Sequence, residues 1–416
     1  MTPVPRAASP RPLSIAIIAG EESGDALGAA LAQALRRREA GAIELSGVGG
    51  RAMAAAGIAS PFAIDELSIV GLLAILEKLP AIYRRIRDTA QAVVTTRPDA
   101  LVIVDSPEFT HRVARRVRAL DPAIPIIDYV SPSVWAWRPG RAPAMRAYVD
   151  HVLAILPFEP AVHRRLGGPA CTYVGHPLIE RIAELRPSAD EARRRQTDPP
   201  VILALPGSRQ GEIRRLLDIF GVTIGRLAAR VGPIEVVLPT VPHLLQRVTE
   251  GVAQWPVVPR IVVDPAEKWA AFRTARAALA ASGTVTLELA LSGVPMVAAY
   301  RLHVIEAAIA RLFRIQAGLP SVILANLAIG ENVVPELLQE DCTPERLIEA
   351  LAPLIGDTPE RLRQTEAFGR LDQIMGIGRF ASSANAADIV LEAARNGRGA
   401  VATQSAMDPA AGAERR

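Results

Sequence analysis

The sequence predicts an α/β protein made of two parallel-sheet units in tandem, and three observations carry that reading. The chain has 416 residues, more than one ordinary hydrophobic core serves. Short apolar runs alternate with amphipathic helical stretches, as they do where helices cover both faces of a parallel sheet. The opening pattern also returns. "LSIAIIAGEESGDALGAALAQALRRR", from Leu13, reads as buried strand, Gly/Ser turn and helix, and "PVILALPGSRQGEIRRLLDIFGVTIGRL", from Pro200, repeats that grammar.

The elements follow in order. In the first half, "ALVIVD" (100–105) comes after the helical "AIYRRIRDTAQAVVTT", and "IPIIDYV" (124–130) comes after "HRVARRVRAL". In the second, "IEVVLPT", "RIVVD" and "VPMVAAY" are the strand candidates. The expected division is a disordered 1–12, a first Rossmann-like domain over 13–190 and a second over 198–375, with a cleft between them. A helix over 376–396 is expected to pack back towards the first domain, and 397–416, rich in Ala and Gly, to be disordered. The linker is placed in "RPSADEARRRQTDPP" (186–200), which is charged and ends in Pro-Pro.

Composition narrows the function. Half the residues are hydrophobic, yet no apolar run reaches the roughly 18–20 residues of a bilayer span. The Pro-rich start lacks a signal-peptide core, so a cytoplasmic protein is expected. Cys171 and Cys342 form no CxxC pair, which argues against a disulfide framework and a zinc site. The net charge is +4, and apart from Lys78 and Lys268 every basic residue other than histidine is arginine. Arginine suits bidentate phosphate contact, although a GC-rich genome produces the same bias. On a helix Arg112, Arg115 and Arg116 share a face, read first as solvated and second as facing an anionic membrane. No basic run is interleaved with stacking aromatics, so nucleic acid is not an expected partner.

Ligands of open parallel sheets sit beyond the carboxyl ends of the strands. In "AGEESGD" (19–25), Gly20, Ser23 and Gly24 precede a helix, which fits an anion site or a plain tight turn. In "LPGSRQGE" (205–212), Gly207, Ser208 and Arg209 repeat the arrangement with a cation added, suited to a diphosphate. In "AASGTVTLELALSGVPMV", Ser282, Gly283 and Thr284 open a helix that carries Glu288, an arrangement for phosphate and a sugar diol, or else Ser282 is an ordinary N-cap. Asp105 ends a strand where it could take a proton from a hydroxyl nucleophile, or cap the next helix. No Asp-x-Asp pair or clustered histidines suggest a metal, so none is expected.

Eight stretches in order, "IAGEESGDALGA", "DSPEF", "YVSPSVWAWR", "LPFE", "VGHP", "LPGSRQGEI", "ASGTVTLE" and "ELLQEDC", resemble the lipid-A-disaccharide synthase family of inverting GT-B glycosyltransferases. The resemblance runs from about Leu13 to Ala394. It implies two Rossmann-like domains and transfer of sugar from UDP-2,3-diacylglucosamine to 2,3-diacylglucosamine 1-phosphate, giving a β-1,6-linked disaccharide and UDP. It implies Asp105 as general base, Arg209 on the UDP diphosphate, and Gly283, Thr284 and Glu288 where phosphates and ribose are held. Asn326 matches the asparagine of a Leu-Pro-Asn motif that here reads Leu324–Ala325–Asn326. No cofactor or metal is implied, and a homodimer is left open.

Acylated substrates imply attachment to the inner face of the cytoplasmic membrane. Ile69, Val70, Leu72, Leu73, Ile75 and Leu76, followed by Arg84, Arg85 and Arg87, fit an anionic lipid surface, with a helix packed inside the domain as the competing reading. Trp135 and Trp137 are expected to line the acceptor side with Arg138 near its phosphate, and His176 to contribute or to brace its loop. The rival enzyme reading is another UDP-sugar GT-B protein, a peptidoglycan-type N-acetylglucosaminyltransferase or a UDP-sugar epimerase. The non-catalytic rival is a nucleotide sensor on the same fold.

Overall fold

The structure is a computed structural model that describes residues 11–39, 43–67, 72–136, 138–301 and 321–398, with side chains from residue 79 in the helix that begins at Leu72. It divides into two compact units, Met1–Pro177 with Phe380–Arg416, and Leu178–Arg379.

The first unit holds six parallel strands: β1 (Leu13–Ala19), β2 (Ile43–Val48), β3 (Ala100–Val104), β4 (Ile126–Tyr129), β5 (His151–Ala154) and β6 (Ala170–Tyr173). Their order is β2-β1-β3-β4-β5-β6. Helices α1 (Glu22–Arg38), α2 (Arg51–Ala55), α3 (Leu72–Thr96), α4 (Thr110–Leu120), α5 (Arg141–Met145) and α6 (Glu159–Leu166) lie between or after them. Alternation explains the near-continuous apolar runs. Ile15, Ile17, Val102 and Val104 face α1 and the C-terminal helix Ser382–Asn396, while Ala16, Ile18, Leu101 and Ile103 face α3 and α4. With both faces covered, each fully buried Ile or Leu contributes roughly 1.5–3 kcal/mol.

The second unit repeats the design with β7 (Val201–Leu205), β8 (Glu235–Pro239), β9 (Arg260–Val262), β10 (Ala277–Ala281), β11 (Met296–Tyr300) and β12 (Glu336–Leu338). The order β12-β11-β10-β7-β8-β9, again all parallel, is that of a Rossmann sheet. The helix Gln210–Val231 seals one face through Ile213, Leu216, Phe220, Ile224 and Leu227.

The linker expectation is corrected. Residues 186–200 are not a free connection: Ala189–Gln196 is a helix of the second unit, closed by a reciprocal Ser188–Glu191 capping box. Its Arg195 is buried and donates to the carbonyls of Phe272, Ser292 and Gly293. One guanidinium satisfied by backbone carbonyls anchors an otherwise largely exposed helix, so charge density misleads there. The boundary falls instead at Pro177–Leu178. Of the proposed membrane patch, Ile69 and Val70 lie outside the described residues, as do the side chains of Leu72, Leu73, Ile75 and Leu76. Further along α3, Ile86, Ala90 and Val93 pack on the sheet, and Arg85 pairs with Glu66. Both expected disordered tails, apart from Arg11, Pro12, Gly397 and Arg398, lie outside the described residues.

Candidate active site

In each sheet the strand order reverses once, between β1 and β3 in the first and between β7 and β10 in the second. The diverging connections open a crevice there. The register sets their ends level: Ala19 pairs with Val104, and Leu205 with Ala280. Gly20 and Asp105 therefore leave adjacent strand ends, as do the turns holding Gly207–Arg209 and Ser282–Thr284.

At the first reversal Asp105 and Ser106 both have positive φ, 50° and 47°. That conformation is costly for residues with a Cβ and is held by neighbours. The Asp105 carboxylate accepts from Ser23 Oγ at 2.7 Å and from its own following amide, Ser106 N, at 2.8 Å. Gly20 and Gly24 leave room for this turn: a Cβ on Gly20 would stand 2.7 Å from Ser106 Oγ, and one on Gly24 2.9 Å from the Val104 carbonyl. This close approach fits the tight-turn reading of 19–25. The first turn of α1 carries Glu22 and Asp25, and Asp25 accepts the amides of Gly50, Ala52 and Met53. Two carboxylates thus stand in the first turn of α1, where an anion would otherwise be drawn, and the glycines serve close approach.

The second reversal has the opposite character. Arg209 is the N-cap of the helix Gln210–Val231, and its side chain is 81% exposed. The buried Glu212 carboxylate accepts from Ser208 N at 3.0 Å and Arg209 N at 3.2 Å, and its other oxygen takes Arg209 Nη1 at 3.2 Å. Gly207 has φ +120°, and a Cβ there would lie 2.3 Å from Glu212 Oε2. Amides expected to receive phosphate are thus bonded to an internal carboxylate that sequence reading passed over; its one signal is a Glu three residues after the cap. Gly283 and Thr284 are exposed, with nothing within 4 Å of a Cβ built on Gly283. Ser282 is not the N-cap, a place Thr284 takes; its hydroxyl donates to the Val322 carbonyl at 3.2 Å. Glu288 accepts from Lys268 Nζ at 2.7 Å.

Three further candidates have the following surroundings. Asn326 is 1% exposed, its amide nitrogen donates to Val334 O and Glu336, and its oxygen accepts from Val333 N and Val334 N. All its polar atoms are spent inside the fold, so it shapes the loop rather than meeting a ligand. His176 is buried, which pushes its imidazole down to about 4 and keeps it neutral at pH 7. Trp135 packs edge-on against Phe158 at 5.5 Å, in a small cluster with Val134, Ala142 and Val162, so it is half core. Trp137 lies outside the described residues. Arg138, at positive φ of 53°, is exposed beside Glu108. Among the described residues no three or more His, Cys, Asp or Glu side chains are placed to hold a metal, and no helix is long and apolar enough to cross a membrane.

A family model described as Lipid-A-disaccharide synthetase matches residues 15–390. The chain belongs to this family. Consistent with that, it is 61% identical over 379 residues to the lipid-A-disaccharide synthase of Rhodopseudomonas palustris (strain HaA2), covering 91% of this chain and 96% of the relative. Solved structures share the fold at low identity. One is a co-structure of S. aureus MnaA with UDP (13% identical, TM-score 0.60, 92% of this chain and 95% of that one). Another is MurG of Acinetobacter baumannii (18% identical, TM-score 0.55, 91% and 99%). The fold is therefore GT-B, and as a lipid-A-disaccharide synthetase family member the protein is a glycosyltransferase of lipid A biosynthesis, working on a UDP-sugar donor and a sugar-phosphate acceptor. The rival readings, a peptidoglycan-type transferase, an epimerase or a sensor, are not favoured.

Proposed function

We propose that the donor is UDP-2,3-diacylglucosamine, the acceptor 2,3-diacylglucosamine 1-phosphate and the product the β-1,6-linked disaccharide 1-phosphate, with UDP released. The observation that carries the reading is the opposite equipment of the two sheet reversals, a carboxylate at one and an exposed arginine at a helix start at the other. Asp105 acts as general base: Ser23 and its own following amide orient it, and its strained turn projects from the strand end. The acceptor's 6-hydroxyl loses its proton to Asp105 as its oxygen attacks the anomeric carbon, and the bond to the UDP oxygen breaks. Arg209 and the amides near the helix start Gln210 offset the charge that develops on the diphosphate. This needs no metal, because a guanidinium serves where other transferases use a divalent cation. Gly283, Thr284 and Glu288 complete the donor site from the β10 side. The acyl chains are drawn from a bilayer to which the start of α3 attaches from the cytoplasmic side; the apolar run from Ile69 to Leu76 and the arginines after it support this.

The test is incubation of the purified protein with both acylated substrates in detergent and EDTA, followed by mass spectrometry. A tetra-acyl disaccharide monophosphate and UDP are expected. Product with magnesium but not with EDTA would overturn the metal-free step, and no product under either condition would overturn the substrate assignment.

A further inference from the structure

A cavity of about 420 Å³ opens beside the Asp105 turn, lined by Pro107, Glu108, His111, Arg112, Arg115, Arg138, Gly140, Arg141 and Tyr148. Three features set it apart from an ordinary solvated groove. First, four guanidiniums share a wall with one carboxylate. Glu108 accepts from Arg141 at 2.6 Å and Arg112 at 3.2 Å and lies 3.5 Å from Arg138. Second, Arg115 is paired with no carboxylate among the described residues; it stacks 4.6 Å over the Tyr148 ring and donates to the Tyr148 hydroxyl at 3.2 Å. Third, that contact is backed from the core. The Tyr148 hydroxyl sits 3.1 Å from His111 Nδ1, and His111 Nε2 lies 3.4 Å from Asp128, which is fully buried. The Tyr148 hydroxyl therefore accepts from Arg115 on the cavity side and meets the His111 ring on the core side. A buried histidine thus backs the ring on which Arg115 rests, and the cation faces an already positive cavity.

An excess of guanidiniums in a concave site is costly unless an anion fills it. We propose that this cavity binds the phosphomonoester of the acceptor sugar. A dianion matches the excess charge, and planar forks suit its oxygens. A nucleotide fits poorly, because the one aromatic face in the lining, Tyr148, is covered by Arg115. The placement suits an acceptor whose hydroxyl and phosphate lie at opposite ends of one pyranose ring. Pro107 and Glu108, in the wall, follow Asp105 by two and three residues, a reach of at most about 7–11 Å. The inference rests on the proposed role of Asp105 and on a sugar-phosphate acceptor. The face of α4 read from the sequence as solvated is half a binding wall: Arg112 and Arg115 line the cavity, and Arg116 does not.

The test uses binding, which does not depend on turnover. In mixed detergent micelles the wild-type protein should bind 2,3-diacylglucosamine 1-phosphate at least about tenfold more tightly than the same lipid without phosphate. Arg115→Ala should erase most of that preference, and Arg115→Lys should restore part of it, with the thermal midpoint unchanged. Arg112→Ala serves as a second variant if Arg115→Ala fails to fold. In parallel turnover assays the acceptor KM should rise at least about tenfold while the donor KM stays within about twofold. A preference that survives both alanine variants overturns the proposal. So does loss of binding to phosphatidylglycerol vesicles with the phosphate preference intact, which would make the cavity a reader of membrane headgroups. Wild-type protein that binds the phosphorylated lipid through Arg115 but forms no disaccharide would overturn the proposed reaction and leave the cavity assignment standing.

Discussion

The reversal point of the first sheet and that of the second are built from one grammar and equipped with opposite chemistry. Each sets a Gly/Ser turn before a helix beside the end of a neighbouring strand. At the first, carboxylates dominate: Glu22 and Asp25 open α1, and Asp105 stands on a strained turn. At the second, Arg209 stands exposed at the helix start and the only carboxylate in its turn, Glu212, is turned inward onto the backbone. The lesson is that a strand–turn–helix pattern locates a site without saying which charge it handles. The side chains within one helical turn decide that, because the dipole is weak enough for a local carboxylate to reverse it.

The comparison can be broken or sharpened by substitution. Asp105→Asn keeps the size and the Ser23 contact but removes the base, so kcat should fall by about 10³. Initial rates of disaccharide formation check this, and a loss below tenfold would remove the distinction between the two reversals. Arg209→Ala should lower kcat/KM for the donor by about 10² or more, with Arg209→Lys recovering part of it; an effect confined to the acceptor would invert the assignment. Gly207→Ala forces a Cβ at φ +120° against Glu212 and should cost about 1–3 kcal/mol, read from denaturant unfolding. A last effect, on stability alone, concerns Glu159 at the start of α6. Burial pushes its carboxyl up to about 8. Between the unfolded value near 4.3 and that point the folded protein holds a proton the unfolded chain releases, so stability declines as pH rises through the window. Glu159→Gln should flatten that decline in thermal melts; an unchanged slope would mean that other groups carry it.

Much of the fold was legible in the sequence for a physical reason. Strands buried on both faces are apolar at nearly every position, so "ALVIVD" and "IPIIDYV" stand out however short they are. "HVLA" of β5 and "ACTY" of β6 do not, since four residues containing a histidine or a threonine carry too little pattern, and their ladder is completed by neighbours distant in sequence. The sites divide in the same way. The positions of Asp105 and Arg209 were legible because each follows a strand end, a local property. The inward use of Asn326, the plugging of the 207–209 turn by Glu212 and the convergence of Arg112 and Arg115 with Arg138 and Arg141 were not, because each depends on which atoms a side chain finds once the chain has folded. The buried Arg195 shows the converse: a stretch read as a linker is a helix anchored by one guanidinium that backbone carbonyls satisfy.

The central claim is that the two reversals divide the work, one activating the acceptor and the other holding the diphosphate. Calorimetric titration of UDP into the wild-type, Asp105→Asn and Arg209→Ala proteins tests it most directly. The account predicts wild-type affinity for the Asp105 variant, which should be nearly inactive in turnover, and an affinity at least about tenfold weaker for the Arg209 variant. An Asp105 variant that loses UDP binding, or an Arg209 variant that retains it, would contradict the division.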